Sequence, residues 1–289
     1  MTLPLIMHIN YCEQGQSLDE ACRKAVDWGF DGIEFRCRNM RQEESSEQYL
    51  DRIEQAVRQS GLKQVVFGGP GISLMNPDAG ARATEVEWLC DFYRLAADRF
   101  PLTVCNAIGG ILRNPVGSIP LNQYALHGSF AAGPEHWSWA AEGFRAIAET
   151  VSSRGFRIAF ETHMLYLHDM PAATLKLIEA IGSPAVGVNL DYGNLVYFEP
   201  HDSLEDTIDL VRDRLYYVHL KNSIAFPGGT RFPTALAEGE INHRHFLQRL
   251  KAVGYAGPIC IEAPRPGDRE WYAQQDVAYI RAVMRDVGI

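Results

Sequence analysis

Glu161 and His163 end the run Phe156-Arg157-Ile158-Ala159-Phe160-Glu161-Thr162-His163, and Asp191, His219 and Glu262 end later apolar runs. Carboxylates and imidazoles gathered in this way suit metal binding or proton transfer. Residues two apart on a strand share a face. Glu161 with His163, Asn189 with Asp191, and His219 with Lys221 therefore point together if their runs are strands. A single strand-end glutamate reads most simply as a side chain meeting solvent. One ligand-type residue at each of four successive tips is harder to dismiss. Three carboxylates and an imidazole form a hard oxygen and nitrogen set suited to Mn²⁺, Mg²⁺ or Co²⁺, and compatible with Zn²⁺.

The tips meet only if the runs lie in one parallel sheet. Strands are expected at Leu3 to Ile9, Asp31 to Arg36, Gln64 to Gly68, Leu102 to Ile108, the run ending in Glu161, Ala185 to Leu190, Leu215 to Leu220, and Pro258 to Ile261. Each leads into a helical pattern. The helices run from Ser17 to about Trp28, Ser46 to Ser60, Ala81 to Arg99, Trp137 to Arg154, Pro171 to Ile181, Ser203 to Arg212, Asn242 to Ala252 and Arg269 to Val287. Strands alternating with helices imply a parallel sheet, and this count favours closure into a (β/α)8 barrel over an open doubly wound sheet. Gly29-Phe30, Gly155-Phe156 and Gly254-Tyr255 repeat one junction, in which glycine ends a helix and an aromatic packs behind it. Each leads to a strand-end glutamate: Glu34, Glu161 or Glu262.

Two connections are too long for ordinary loops. Gly109 to Pro134, with Arg113, Asn122, Tyr124 and His127, is expected to be a lid. Asn222 to Glu240 contains Pro227-Gly228-Gly229-Thr230-Arg231, which reads as a turn rather than a phosphate site. The glycines between Gly69 and Gly80 lack dinucleotide-binding spacing.

A chain of 289 residues, 46% hydrophobic and 22% charged, suits one domain over 1–289. Cys12, Cys22, Cys37, Cys90, Cys105 and Cys260 are scattered, without the spacing of a zinc knuckle or a disulfide framework. No apolar run has the length of a membrane span, and the start lacks the basic region of a secretory signal, so a cytoplasmic protein is expected. The net charge of −9 disfavours a nucleic-acid partner.

At these residues the sequence resembles the xylose-isomerase-like TIM barrels, the sugar phosphate isomerase/epimerase superfamily. The matching motifs are Gly29-Phe30-Asp31-Gly32-Ile33-Glu34, Phe160-Glu161-Thr162-His163, Leu190-Asp191-Tyr192-Gly193-Asn194, Val218-His219-Leu220-Lys221-Asn222, Gly239-Glu240-Ile241, and Gly254-Tyr255-Ala256-Gly257 leading to Glu262. The resemblance implies one divalent metal held by Glu161, Asp191, His219 and Glu262. It also implies Glu161 and Glu262 as the acid/base pair, and a small carbohydrate substrate isomerised or epimerised through an enediolate. Glu34, His163, Asn194 and Lys221 are expected to bind substrate, and self-association as a homo-oligomer is left open. Ketose 3-epimerases of this superfamily usually carry a histidine and an arginine where this chain has Asn194 and Ala225. A lyase acting on a keto sugar or keto acid at the same metal site is therefore the alternative. Asn194, in place of a further histidine ligand, also argues against an endonuclease.

Overall fold

The computed structural model describes residues 3–40, 43–227 and 230–289. Eight parallel strands form the barrel wall: β1 (Leu5–His8), β2 (Gly32–Arg36), β3 (Gln64–Gly68), β4 (Val104–Ala107), β5 (Arg157–Glu161), β6 (Val186–Asp191), β7 (Leu215–Leu220) and β10 (Ile259–Ile261). Around them lie α1 (Leu18–Trp28), α2 (Ser46–Ser60), α3 (Ala79–Arg99), α4 (Pro134–Ser153), α5 (Pro171–Ile181), the single turn α6 (Tyr192–Leu195), α7 (Leu204–Val211), α8 (His243–Ala252) and α9 (Arg269–Val287). The strands bond in the order β3-β2-β1-β10-β7-β6-β5-β4. Among the described residues no ladder joins β3 to β4, so the barrel is nearly closed, with one seam.

Local chemistry sets the element ends. Ser17 and Ser45 cap α1 and α2 through reciprocal capping boxes with Glu20 and Gln48, each cap contributing about 1 kcal/mol. The repeated Gly-aromatic junction is one backbone motif. Gly29, Gly155 and Gly254 take φ of 93°, 78° and 72°, a region closed to most side chains. The amides of Phe30, Phe156 and Tyr255 then bond back to the Ala25, Val151 and Leu250 carbonyls at 2.9, 3.2 and 3.0 Å.

The strand period of two explains both barrel layers. Ile6, Val66, Val104, Ala159, Tyr217 and Cys260 form a small apolar cluster, apart from the larger core that includes the helices' buried faces. Two residues further along these strands stand His8, Gly68, Asn106, Glu161, His219 and Glu262. The interior is thus apolar in one layer and polar in the next, toward the C-terminal mouth.

The 222–240 connection, expected to be a loop, carries an antiparallel hairpin of β8 (Ser223–Ala225) and β9 (Arg231–Pro233). Gly228 and Gly229, on which the turn expectation falls, lie outside the described residues. The 109–134 segment holds two 3-10 turns and leans on the connection after β5. Leu112 N–H donates to the Leu165 carbonyl at 2.8 Å, and Ser129 N–H to Asp169 Oδ2 at 3.0 Å. Tyr124 continues across to Tyr197 and Phe198 beyond β6, with ring centroids 5.9 and 6.3 Å away. Among the described residues no helix is long and apolar enough to cross a membrane.

Candidate metal centre

Strand register brings the four expected ligands together. Asp191 pairs with His219, Glu161 lies beside Asn189, and Cys260 pairs with His219, which puts Glu262 one step above. The β6–β7 pairing shifts register between Val188 and Asn189, which face Leu215 and Tyr217, just before Asp191. One ligand atom from each of Glu161, Asp191, His219 and Glu262 lies within 4.8 Å of the others. His219 Nδ1 is 2.9 Å from Glu262 Oε2, 3.8 Å from Glu161 Oε2 and 3.9 Å from Asp191 Oδ2.

Lys221 enters the same space. Its Nζ lies 2.7 Å from Asp191 Oδ2, 3.2 Å from Glu262 Oε2 and 3.4 Å from Glu161 Oε1. At that distance the ammonium is the charged partner of Asp191 Oδ2. Three carboxylates and an imidazole that each offer an atom to one small space form a donor set that fits a hard divalent cation. Glu34, His219 and Cys260 also cluster, but burial pushes the Cys260 thiol up to about 12, and a protonated thiol is a poor ligand. The four-residue set is the better fit.

Burial and neighbouring charge set the protonation states. Burial opposes ionisation of Glu161, yet Lys221 and His219 more than offset it and bring it down to about 2. The same opposition, outweighed by His8, Lys221 and His219, holds Glu262 well below the ordinary range. Asp191, the deepest of the three, is pushed up to about 6 by burial, with Lys221 compensating only in part. Burial works against the Lys221 ammonium too, but Asp191, Glu262 and Glu161 hold its pKa above the usual lysine value.

Two residues expected to contact substrate, Glu34 and Asn194, are engaged with protein partners around the cluster. Glu34 is fully buried. Its Oε2 accepts from Tyr217 Oη and faces His219 Nε2, both at 2.9 Å, while Oε1 accepts from Asn106 Nδ2 at 3.1 Å. Three polar partners thus enclose it, and one of them is the clustered His219. Asn194 is also buried, and donates through Nδ2 to Glu161 Oε1 and the Thr162 carbonyl, each at 3.1 Å. It steadies Glu161. Lys221 keeps some exposure toward the mouth. His163 lies past the end of β5, half-buried, with Nδ1 2.9 Å from the Met164 carbonyl and its ring edge-on to Tyr166.

Asn106, His8, Asn10 and His168 escaped the sequence reading. Asn106 Nδ2 bridges Glu34 and Glu161 Oε2, the latter at 2.9 Å, and its Oδ1 accepts from Asn189. The signal was a lone amide inside an apolar strand. His168 joins the root of the 109–134 segment to the tip of β5. Nε2 accepts from Gly109 N–H at 3.0 Å, so the ring hydrogen is on Nδ1 and goes to the Glu161 carbonyl at 2.6 Å.

Burial lowers His168 to about 4, against the opposing pull of the Glu161 carbonyl. Above its ordinary pKa of about 6.5 both folded and unfolded chains hold it neutral. Between there and about 4 only the unfolded chain takes up the proton, so stability is lost as pH falls through that window. The loss is on the order of 3 kcal/mol at about 1.4 kcal/mol per pKa unit. His168→Gln should therefore show a shallower acid slope than wild type in urea denaturation from neutral to acid pH. A variant destabilised equally across that range would overturn the assignment.

Solved structures share this architecture. A xylose isomerase-like TIM barrel protein from Mycobacterium smegmatis in complex with magnesium superposes with a TM-score of 0.78 at 18% identity, covering 99% of this chain and 98% of that one. The 3-keto-D-glucoside 4-epimerase of E. coli gives 0.73 at 15% identity, over 97% of this chain and 99% of that chain. In sequence, the inosose dehydratase of Clostridium perfringens is 24% identical over 153 residues, 47% of this chain, so the chain spans 50% of the length of the curated relative it matches. Residues 22–283 match the model of the Xylose isomerase-like TIM barrel family, and the chain belongs to that family.

Proposed function

We propose that this chain is a divalent-metal-dependent isomerase or epimerase of a keto sugar or related polyol carbonyl compound, working through an enediolate. The observation that carries the reading is the convergence of Glu161, Asp191, His219 and Glu262 within 4.8 Å at the barrel mouth. Mn²⁺, Mg²⁺, Co²⁺ or Zn²⁺ held by these four residues supplies positive charge for the substrate oxygen that becomes negative on enolisation. Glu161 and Glu262 are the proton carriers. Both are held ionised, and Glu262 is the more exposed, so it is ready to take a proton from carbon. Lys221, beside both, places an ammonium where substrate oxygen gains charge. The 109–134 segment, tied to the connection after β5 and to the residues after β6, is in this reading the lid that excludes water.

Loss of a β-hydroxyl or of carboxylate from the same kind of intermediate would make the protein a lyase. The dehydratase match, and Asn194 and Ala225 where ketose 3-epimerases usually carry a histidine and an arginine, favour this second reading. Incubating metal-loaded protein with a panel of ketohexoses and sugar-derived keto acids in D₂O, followed by NMR and mass spectrometry, separates the two. Deuterium at a carbon beside the carbonyl in a product that has lost no water or CO₂ is the expected result. Release of water from a keto sugar, or of water or CO₂ from a keto acid, would establish the lyase, and failure to exchange or convert any of these compounds would overturn both.

A further inference from the structure

His8 ends β1 and Asn10 stands two residues on, in the 3-10 turn that follows; they are 7% and 8% exposed. Asn10 N–H donates to His8 Nδ1 at 3.2 Å, so the ring hydrogen of the neutral imidazole lies on Nε2. Among the described residues that donor has no hydrogen-bonded acceptor. Its nearest carboxylate oxygens are Glu262 Oε1 at 3.8 Å and Glu34 Oε1 at 3.9 Å, beyond bonding distance. Asn10 shows the complementary deficit. Nδ2 donates to Glu262 Oε1 at 3.2 Å, while Oδ1 is buried without a partner. Turning the amide over would set that oxygen against the carboxylate, so the orientation is fixed by charge. Arg269 Nη1 holds the Asn10 carbonyl at 2.9 Å and keeps the turn in place.

An unused N–H donor and an unused carbonyl acceptor therefore stand on neighbouring residues beside Glu262. Buried polar groups are normally paired, so both atoms call for a partner. A hydroxyl is the simplest substrate group that both accepts and donates. A carbonyl or carboxylate would satisfy only His8, and an ammonium only Asn10.

We propose that His8 and Asn10 form a hydroxyl-binding subsite, in which His8 Nε2–H donates to a substrate hydroxyl oxygen and that hydroxyl donates to Asn10 Oδ1. The proposal rests on the reading of Glu262 as the proton carrier and makes it more specific: the substrate bears a free hydroxyl close to the carbon that faces Glu262. The pair then sets specificity by discriminating against compounds deoxygenated at that position.

The test is calorimetric binding of ketohexoses and their monodeoxy analogues to magnesium-loaded wild type, His8→Phe, His8→Gln and Asn10→Ala, with metal stoichiometry and melting curves for each protein. One deoxy analogue should bind wild type about tenfold or more weakly than its parent. His8→Phe should weaken the parent by a similar factor and lose the discrimination. His8→Gln, which keeps an N–H donor, should recover part of it. Wild-type affinity in both His8→Phe and Asn10→Ala, or discrimination that survives in them, would overturn the subsite while leaving the enediolate reading intact. Absence of sugar binding by metal-loaded wild type would overturn the subsite together with that reading.

Discussion

Glu262→Gln should lower turnover by about 10²-fold or more while metal remains bound, because the amide keeps a ligand oxygen and loses the basicity that proton transfer requires. The substitution is well tolerated by its surroundings. Asn10, which donates to Oε1, has an unpartnered Oδ1 and can turn its amide to meet a new N–H. Glu161→Gln should show a similar fall in rate at a higher structural cost, since Asn194 and Asn106 donate to its two separate oxygens. Asp191→Asn and His219→Ala carry no proton in the proposed reaction, so they should act through metal affinity and regain part of their activity in excess metal. Metal content and turnover of the four variants across a metal titration decide the matter. Rescue of both glutamate variants as complete as that of Asp191→Asn would show that the glutamates are ligands only.

Glu34→Ala is expected to be the most damaging change that touches none of the four clustered ligand groups. It strips partners from Tyr217 Oη, Asn106 Nδ2 and the Glu34-facing nitrogen of His219, all in a fully buried layer. Removing one partner of a buried charged pair costs roughly 3–5 kcal/mol, and loss of an orienting partner behind a ligating histidine lowers metal affinity by about 10 to 100-fold. Glu34→Gln is not a conservative substitute, because its amide must point an N–H at a group that already donates. Chemical denaturation of the metal-free proteins reads the first effect, and calorimetric metal titration reads the second. A metal affinity equal to wild type in a folded Glu34→Ala protein would contradict the orienting role.

Much of this site was legible because a barrel strand writes its inner face at every second residue. Glu161, Asp191, His219 and Glu262 stood out as charged or imidazole groups closing apolar runs, and the Gly-aromatic junctions marked where three of the strands begin. Depth was not legible. Glu34 was read as a strand-end glutamate like Glu161, yet β2 runs on to Arg36 and leaves Glu34 in mid-strand, paired beside His8 and Val66. Stagger between strands is a property of the closed sheet and is not carried by any one segment. His8 and Asn106 were passed over because an uncharged polar residue within an apolar run looks like a tolerated exception. Asn194 was expected to contact substrate, but the single turn capped by Asp191 folds it back onto Glu161. The hairpin of β8 and β9 gave little signal, being only three residues on each side.

The missing ladder between β3 and β4 makes the wall a split ring. Its edges are joined by the Asn106 amide reaching Glu34 and by the Ile72 N–H on the Ile108 carbonyl at 3.2 Å. A joint without a ladder is expected to open before a laced one, which faster amide exchange in β3 and β4 than in β10 would register. Glu161 sits one strand from the split and shares Asn106 with it, whereas Glu262 follows β10, in the middle of the bonded order. Opening of the wall at this joint would therefore reach Glu161 before Glu262.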